Sequence, residues 1–300
     1  MAVKTVQVII NGVTTDLTLN SSTGDYEKTL TAPNKSSWTV NDGHYYPINV
    51  KATDTAGNTA TINDTDTDKG KFDVNENVAP VSTITAPTEG QRLVNAKPTV
   101  TWSVTDNDSG VNPNTIGITI DNGSKVTSGI TKTAITGGYS CSYPIPTALA
   151  EGSHAIKVDA QDYDGNNAVQ RVVNIIVDTI PPQLSVTSPV NNLVTKTATL
   201  AVTGTTDDST SKPCIVTVQL NNGTAQEIPV GSNGAFSTNI TLIEGTNTLK
   251  VVSTDKAGKS TQVTRMVILD TKAPIIGPVK LSKNPVSTGD TFTISVTVTD

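Results

Sequence analysis

EGSHAIKVDAQDYDGNNAVQRVVNIIVDTIPP, residues 151–182, decides the fold. Ile156 and Val158 stand six and four residues before Asp162, so apolar and polar side chains alternate at the period of a half-buried strand. The turn Asp162-Tyr-Asp-Gly165 then reverses the chain. Its aspartate can accept turn N–H groups, and its glycine takes a positive φ without steric cost. Another apolar strand runs on to Asp178, and Thr-Ile-Pro-Pro opens the next segment.

The same block surrounds Asp54 and Asp255. Ile48 and Val50 precede the first, Leu249 and Val251 the second, and the turns read Asp54-Thr-Ala-Gly57 and Asp255-Lys-Ala-Gly258. Eight residues before the three aspartates stand Tyr46, His154 and Asn247. A polar side chain there, at the start of a strand, is expected to bond backbone at a sandwich corner rather than to act in catalysis.

Upstream lies a second signature. Pro80, Pro182 and Pro274 are each followed 26 residues later by an aspartate, Asp106, Asp208 and Asp300, which closes an alternating Val/Thr/Ser/Leu run. After the first two come IGITIDNG (116–123) and VTVQLNNG (216–223), each expected to end in a tight Asn-Gly turn; VQVIING (6–12) matches that piece. About seven short strands per repeat, with turns between them, predict an antiparallel β-sandwich. Trp102, in phase with Val100 and Val104, belongs to its core, whereas Trp38 in the polar stretch NKSSWTVNDG has an exposed reading.

Composition narrows the function. Charged residues are 16% and aromatics 4%, which suits strands and turns and leaves no long helix. No apolar run has the 18 or so residues of a membrane helix, and MAVKTVQVIING lacks the features of a secretion signal, so synthesis in the cytoplasm is expected. A net charge of −6 without a basic cluster argues against nucleic acid. Two histidines, two cysteines and no Gly-x-Ser-x-Gly elbow argue against an enzyme. Cys141 and Cys214 fall in different repeats and are expected to be reduced; Cys141 shares a buried strand face with Tyr139 and Tyr143.

GSHAIKVDAQDYDGN, DTIPP, EGTNTLKVVSTDKAG and NDSGVNPNTIGITIDNG together resemble the bacterial Ig-like repeats of surface adhesins and of bacteriophage and prophage structural proteins. The resemblance implies an all-β rod of tandem Ig-like antiparallel β-sandwiches, non-enzymatic, in a virion tail region. The alternative it leaves is an adhesin at the bacterial cell surface or on the virion, binding a surface glycan or protein. Partners would be copies of the chain, other virion proteins and, for the adhesin, the host surface, without membrane insertion.

Four segments follow from the repeat. Residues 1–77 read as strands C to G of a domain lacking its first two strands, 78–178 and 179–271 as complete domains, and 272–300 as strands A and B of a further domain. A domain without A and B leaves an apolar face and a sheet edge open, and two strands cannot bury a core by themselves. Pro-containing linkers disfavour a fold-back, so 272–300 is expected to complete residues 1–77 of a neighbouring copy, in a ring or filament. The assembly residues are Val6, Val8 and Ile10 on one side and Phe292, Ile294, Val296 and Val298 on the other. The alternative is that strands from a longer chain or a partner complete both.

Calcium is the one cofactor considered. Asp64, Asp66 and Asp68 alternate ahead of Gly70 and resemble the start of a calcium loop, but Gly is one residue late and Asn75 stands where a glutamate is needed. A solvated acidic loop is the competing reading. Asp106, Asn107 and Asp108 form a second, weaker candidate whose default is a turn.

Overall fold

Alternation of β-branched and polar residues makes strands throughout the computed structural model, which describes residues 2–63 and 70–300. No α-helix occurs among the described residues. The chain divides into two compact units, Met1–Val177 and Asp178–Asp300.

The first unit begins with one sheet. β1 (Val3–Ile10), β2 (Val13–Leu19), β3 (Tyr26–Glu27), β4 (Tyr46–Asp54) and β5 (Thr59–Ile62) lie in the order β3-β2-β1-β4-β5, and β6 (Lys71–Phe72) also pairs with β4. Asn11 and Gly12 both take positive φ, 49° and 75°, giving a two-residue hairpin between Ile10 and Val13.

A two-sheet sandwich follows in the same unit. Its strands are β7 (Val81–Ala86), β8 (Arg92–Leu93), β9 (Thr99–Thr105), β10 (Val111–Ile120), β11 (Thr131–Ile135), β12 (Gly138–Pro144), β13 (Gly152–Asp162) and β14 (Arg171–Val177). The sheets are β10-β13-β14-β8 and β11-β12-β9-β7. Between them Trp102, 1% exposed, packs with Val100, Ile118, Ile156 and Ile175, and Cys141 is its cross-strand neighbour. Both cysteines are buried and free, as expected.

The second unit repeats the plan with β15 (Gln183–Ser188), β16 (Leu193–Thr195), β17 (Thr199–Asp207), β18 (Ile215–Leu220), β19 (Gln226–Ile228), β20 (Ala235–Thr241), β21 (Gly245–Thr254) and β22 (Ser260–Leu269). Its sheets are β15-β17-β20 and β16-β22-β21-β18-β19. Core volume is redistributed: Gly204 holds the repeat position of Trp102, and Phe236 opposite it fills the space.

A ribbon closes the second unit. β23 (Ile275–Ile276) pairs with β26 (Val298–Thr299), and β24 (Lys280–Leu281) with β25 (Ile294–Ser295). Its register is that of the first two strands of each sandwich. Ile275 faces Thr299 as Gln183 faces Asp207 and Val81 faces Thr105. Lys280 faces Ser295 as Ser188 faces Thr203 and Ala86 faces Thr101. Yet Ile294, Val296 and Val298 are 60%, 45% and 55% exposed, whereas their counterparts Val100, Trp102 and Val104 are buried.

Two sequence expectations need correction. Two of the three Asn-Gly turns are displaced by one residue. β10 and β18 run to Ile120 and Leu220, so Asp121 and Asn221 take the positive φ, 53° and 52°, and Gly123 and Gly223 follow the turn. Trp38 is half-buried rather than exposed.

Candidate metal centres and assembly surface

Each Asp-x-x-Gly turn is closed by its aspartate. Asp54 Oδ1 accepts from the N–H groups of Ala56 and Asn58 at 2.8 and 2.9 Å, and Asp255 Oδ1 from Ala257 and Lys259 at the same distances. Asp162 Oδ1 accepts from Asn166 N–H at 2.8 Å. Gly57, Gly165 and Gly258 have φ of 93°, 91° and 88°, as the turn requires.

The last residue of the turn block decides what the second carboxylate oxygen does. Asn58 and Asn166 donate their side-chain amides to Asp54 Oδ2 and Asp162 Oδ2, both at 2.8 Å. Lys259 occupies that position in the second unit, and Asp255 Oδ2 is buried with no hydrogen bond.

Two acidic triads form around these turns. In the first unit Glu76, Asp106 and Asp162 bring carboxylate oxygens within 4.8 Å of one another, and in the second Asp178, Asp208 and Asp255 do the same. Corresponding members hold the same repeat positions: four residues before the proline, 26 after it, and the head of the Asp-x-x-Gly turn. Their environments differ. Glu76 accepts from Val78 N–H, from Ser109 Oγ at 3.1 Å and from Asn166 Nδ2 at 3.3 Å. Burial holds its pKa above the usual carboxylate value, and the neighbouring Asp162 adds to that rise. Asp178 is 0% exposed and neither of its oxygens has a partner. Two ionised carboxylates within 4.8 Å of each other, at an effective dielectric of about 20, repel by roughly 3.5 kcal/mol or more.

Of the residues expected to bind calcium, Asp64, Asp66 and Asp68 lie outside the described residues. Asp106 does act as a turn cap, accepting from Asp108 and Gly110 N–H at 2.9 and 2.8 Å, but it also joins a triad. The spacings in the sequence mark Asp106, Asp162, Asp208 and Asp255, Asp178 stands there only as the end of a strand, and the convergence of the triads is not visible. Glu76 was missed altogether; its place four residues before Pro80, matching Asp178 before Pro182, was the available clue.

Trp38 sits on the first triad's surroundings. Its ring stacks on His44 at 3.8 Å and on Tyr163 at 4.4 Å, and Ser36 N–H donates to Asp108 Oδ1 at 2.9 Å. Trp38 is therefore packed against an Asp-x-x-Gly turn. The corner residues behave as expected: His154 Nε2 lies 2.9 Å from Ala150 O, and Asn247 Nδ2 donates to Ile243 O at 2.7 Å.

The expected acceptor residues lie on β1. Val6, Val8 and Ile10 face Ala52, Val50 and Ile48 of β4, the pairing that Ile118 and Val158 make inside the complete sandwich. Val8, Ile10, Val13, Leu30, Ile48 and Phe72 line a groove of about 360 Å³. Phe292, Ile294, Val296 and Val298 of the ribbon are exposed.

Residues 80–158 match the family described as bacterial Ig domain, and residues 182–271 match glucodextranase, domain B. Among solved structures, the chain is similar to the fibronectin(III)-like modules of CbhA from Clostridium thermocellum, at 18% identity and TM-score 0.37 over 63% of this chain and 94% of that one. Titin domains A168–A170 align at 13% identity and TM-score 0.42 over 76% and 75% of the two chains. Sidekick-1 immunoglobulin domains 1–5 align at 11% identity and TM-score 0.40 over 99% and 60%. No curated protein sequence matches. The described fold is all-β, with tandem Ig-like sandwiches. Tandem domains of this class fit structural or adhesive roles and are typically non-catalytic.

Proposed function

We infer that this is a non-enzymatic structural protein that assembles head to tail by strand complementation, as a tail-region component of a phage or prophage virion. One observation carries the assembly reading. The ribbon holds the register of a sandwich's first two strands with its inward side chains exposed, while among the described residues of 1–77 the sheet β3-β2-β1-β4-β5 has no second sheet over its apolar face. The occupant of that face is residues 274–300 of a second copy. Burying Phe292, Ile294, Val296 and Val298 gives about 6–12 kcal/mol gross, from roughly 1.5–3 kcal/mol per side chain, before ordering costs. Donor and acceptor surfaces differ, so the contact is heterologous and makes rings or filaments. The virion assignment rests on the family resemblance and is tested by detecting the chain in purified particles.

Light scattering after size exclusion, across a concentration range, tests assembly. The full chain should form multimers, and Val296→Asp or removal of residues 273–300 should leave folded monomers. A monomer at every concentration, or multimers indifferent to both changes, overturns self-complementation. The monomer result together with binding to cell surfaces would favour the adhesin.

A further inference from the structure

We propose that Asp178, Asp208 and Asp255 bind one hard divalent cation, with Ca²⁺ the best match. All three carboxylates are buried and have oxygens within 4.8 Å of one another. Ca²⁺ takes oxygen ligands at roughly 2.3–2.6 Å, so oxygens on a single ion are separated by at most about 5 Å. A spacing within 4.8 Å suits carboxylates that share one ion. The set has no imidazole or thiolate, which turns it away from zinc and copper.

The unpartnered atoms point to a missing ligand. Asp208 and Asp255 each spend Oδ1 on turn N–H groups. Asp255 Oδ2 and both oxygens of Asp178 are buried without a hydrogen bond. Buried carboxylates are ordinarily bonded, paired or metal-bound. The nearby Lys212 ammonium bonds Asp207 instead, and it lies on an exposed side chain.

The sister triad serves as an internal control. There Asn166 donates its amide to Asp162 Oδ2 and Glu76 Oε1, atoms that a cation would otherwise satisfy. Lys259, at the same repeat position, makes no such bond to Asp255 Oδ2. The cation is thus expected at the second triad and not at the first.

Isothermal titration of the chelator-treated full chain with CaCl₂, paired with thermal melting, tests the site. Wild type should bind with a sub-millimolar Kd, in the range of weak structural calcium modules, and melt higher with calcium. Asp178→Asn should lose this binding. Lys259→Asn, which restores the amide of the sister triad, should weaken it at least tenfold while the chelated protein stays folded. The proposal is overturned by absence of heat and of a melting shift up to 5 mM calcium, or by undiminished binding in both variants, which would place the ion elsewhere.

Discussion

His154 shows how one polar residue ties a corner together. Its Nδ1 lies 2.8 Å from Asp121 Oδ2 and its Nε2 2.9 Å from Ala150 O, while Asp121 Oδ1 accepts from Ala155 N–H. Burial works against the imidazolium, but the bonds to Asp121 and Ala150 outweigh it and hold the pKa above the ordinary histidine value. Folding is therefore favoured by a charged His154. That contribution is complete below the unfolded value of about 6.5 and fades as pH rises through the higher folded value. Asp121 moves the opposite way: burial raises its pKa, its bonds to His154 and Ala155 more than compensate, and the stability this gives is lost only as pH falls through the lowered value. His154→Gln should flatten the decline in melting temperature between pH 6 and 8.5. An unchanged pH profile would show that the pair contributes nothing. Burial also pushes the Cys141 thiol up to about 11 against a smaller lowering by Lys132, which suits its place in the core.

At the scale of strands, the two sandwiches solve one packing problem in opposite ways. Trp102 on β9 faces Cys141 on β12, and Gly204 on β17 faces Phe236 on β20. A Cβ on Gly204 would collide with Ser185 O and the Phe236 ring, both held by paired strands. Gly204→Ala should cost about 1–3 kcal/mol, read from the urea midpoint of the second unit, and Phe236→Leu in the same chain should recover part of it. Equal midpoints would mean that the ring moves freely aside. Strand positions were largely legible in the sequence, because alternation around Ile156, Val158, Leu249 and Val251 reports burial directly. Turn register was less so: whether Asp121 or Gly123 takes positive φ depends on how far β10 stays paired with β13, a cross-strand property. The triads were legible only as spacings. Glu76, Asp106 and Asp162 are far apart in sequence and converge because the sandwich brings the end of β13 beside the turn after β9.

For the molecule as a whole, the sequence showed the recurring Pro-to-Asp and Asp-x-x-Gly phrases. It did not show that the described strands of the first 77 residues would lie in a single sheet. It also did not show that the segment 36–44 would fold onto the neighbouring sandwich, since that docking uses side chains from loops without periodicity. This docking has an optical consequence. The chain has two tryptophans. Trp102 is sealed in a core, and Trp38 is stacked between His44 and Tyr163. Two indoles in such different surroundings make two built-in fluorophores, one reporting the melting of a sandwich and the other the parting of the segment 36–44 from it. Trp38→Phe should leave a single blue-shifted emission that changes only on global unfolding. In the wild-type chain an earlier red shift, carried by Trp38 alone, should mark that separation. If both emissions move together at every denaturant concentration, the first sheet and the sandwich behind it melt as one cooperative body.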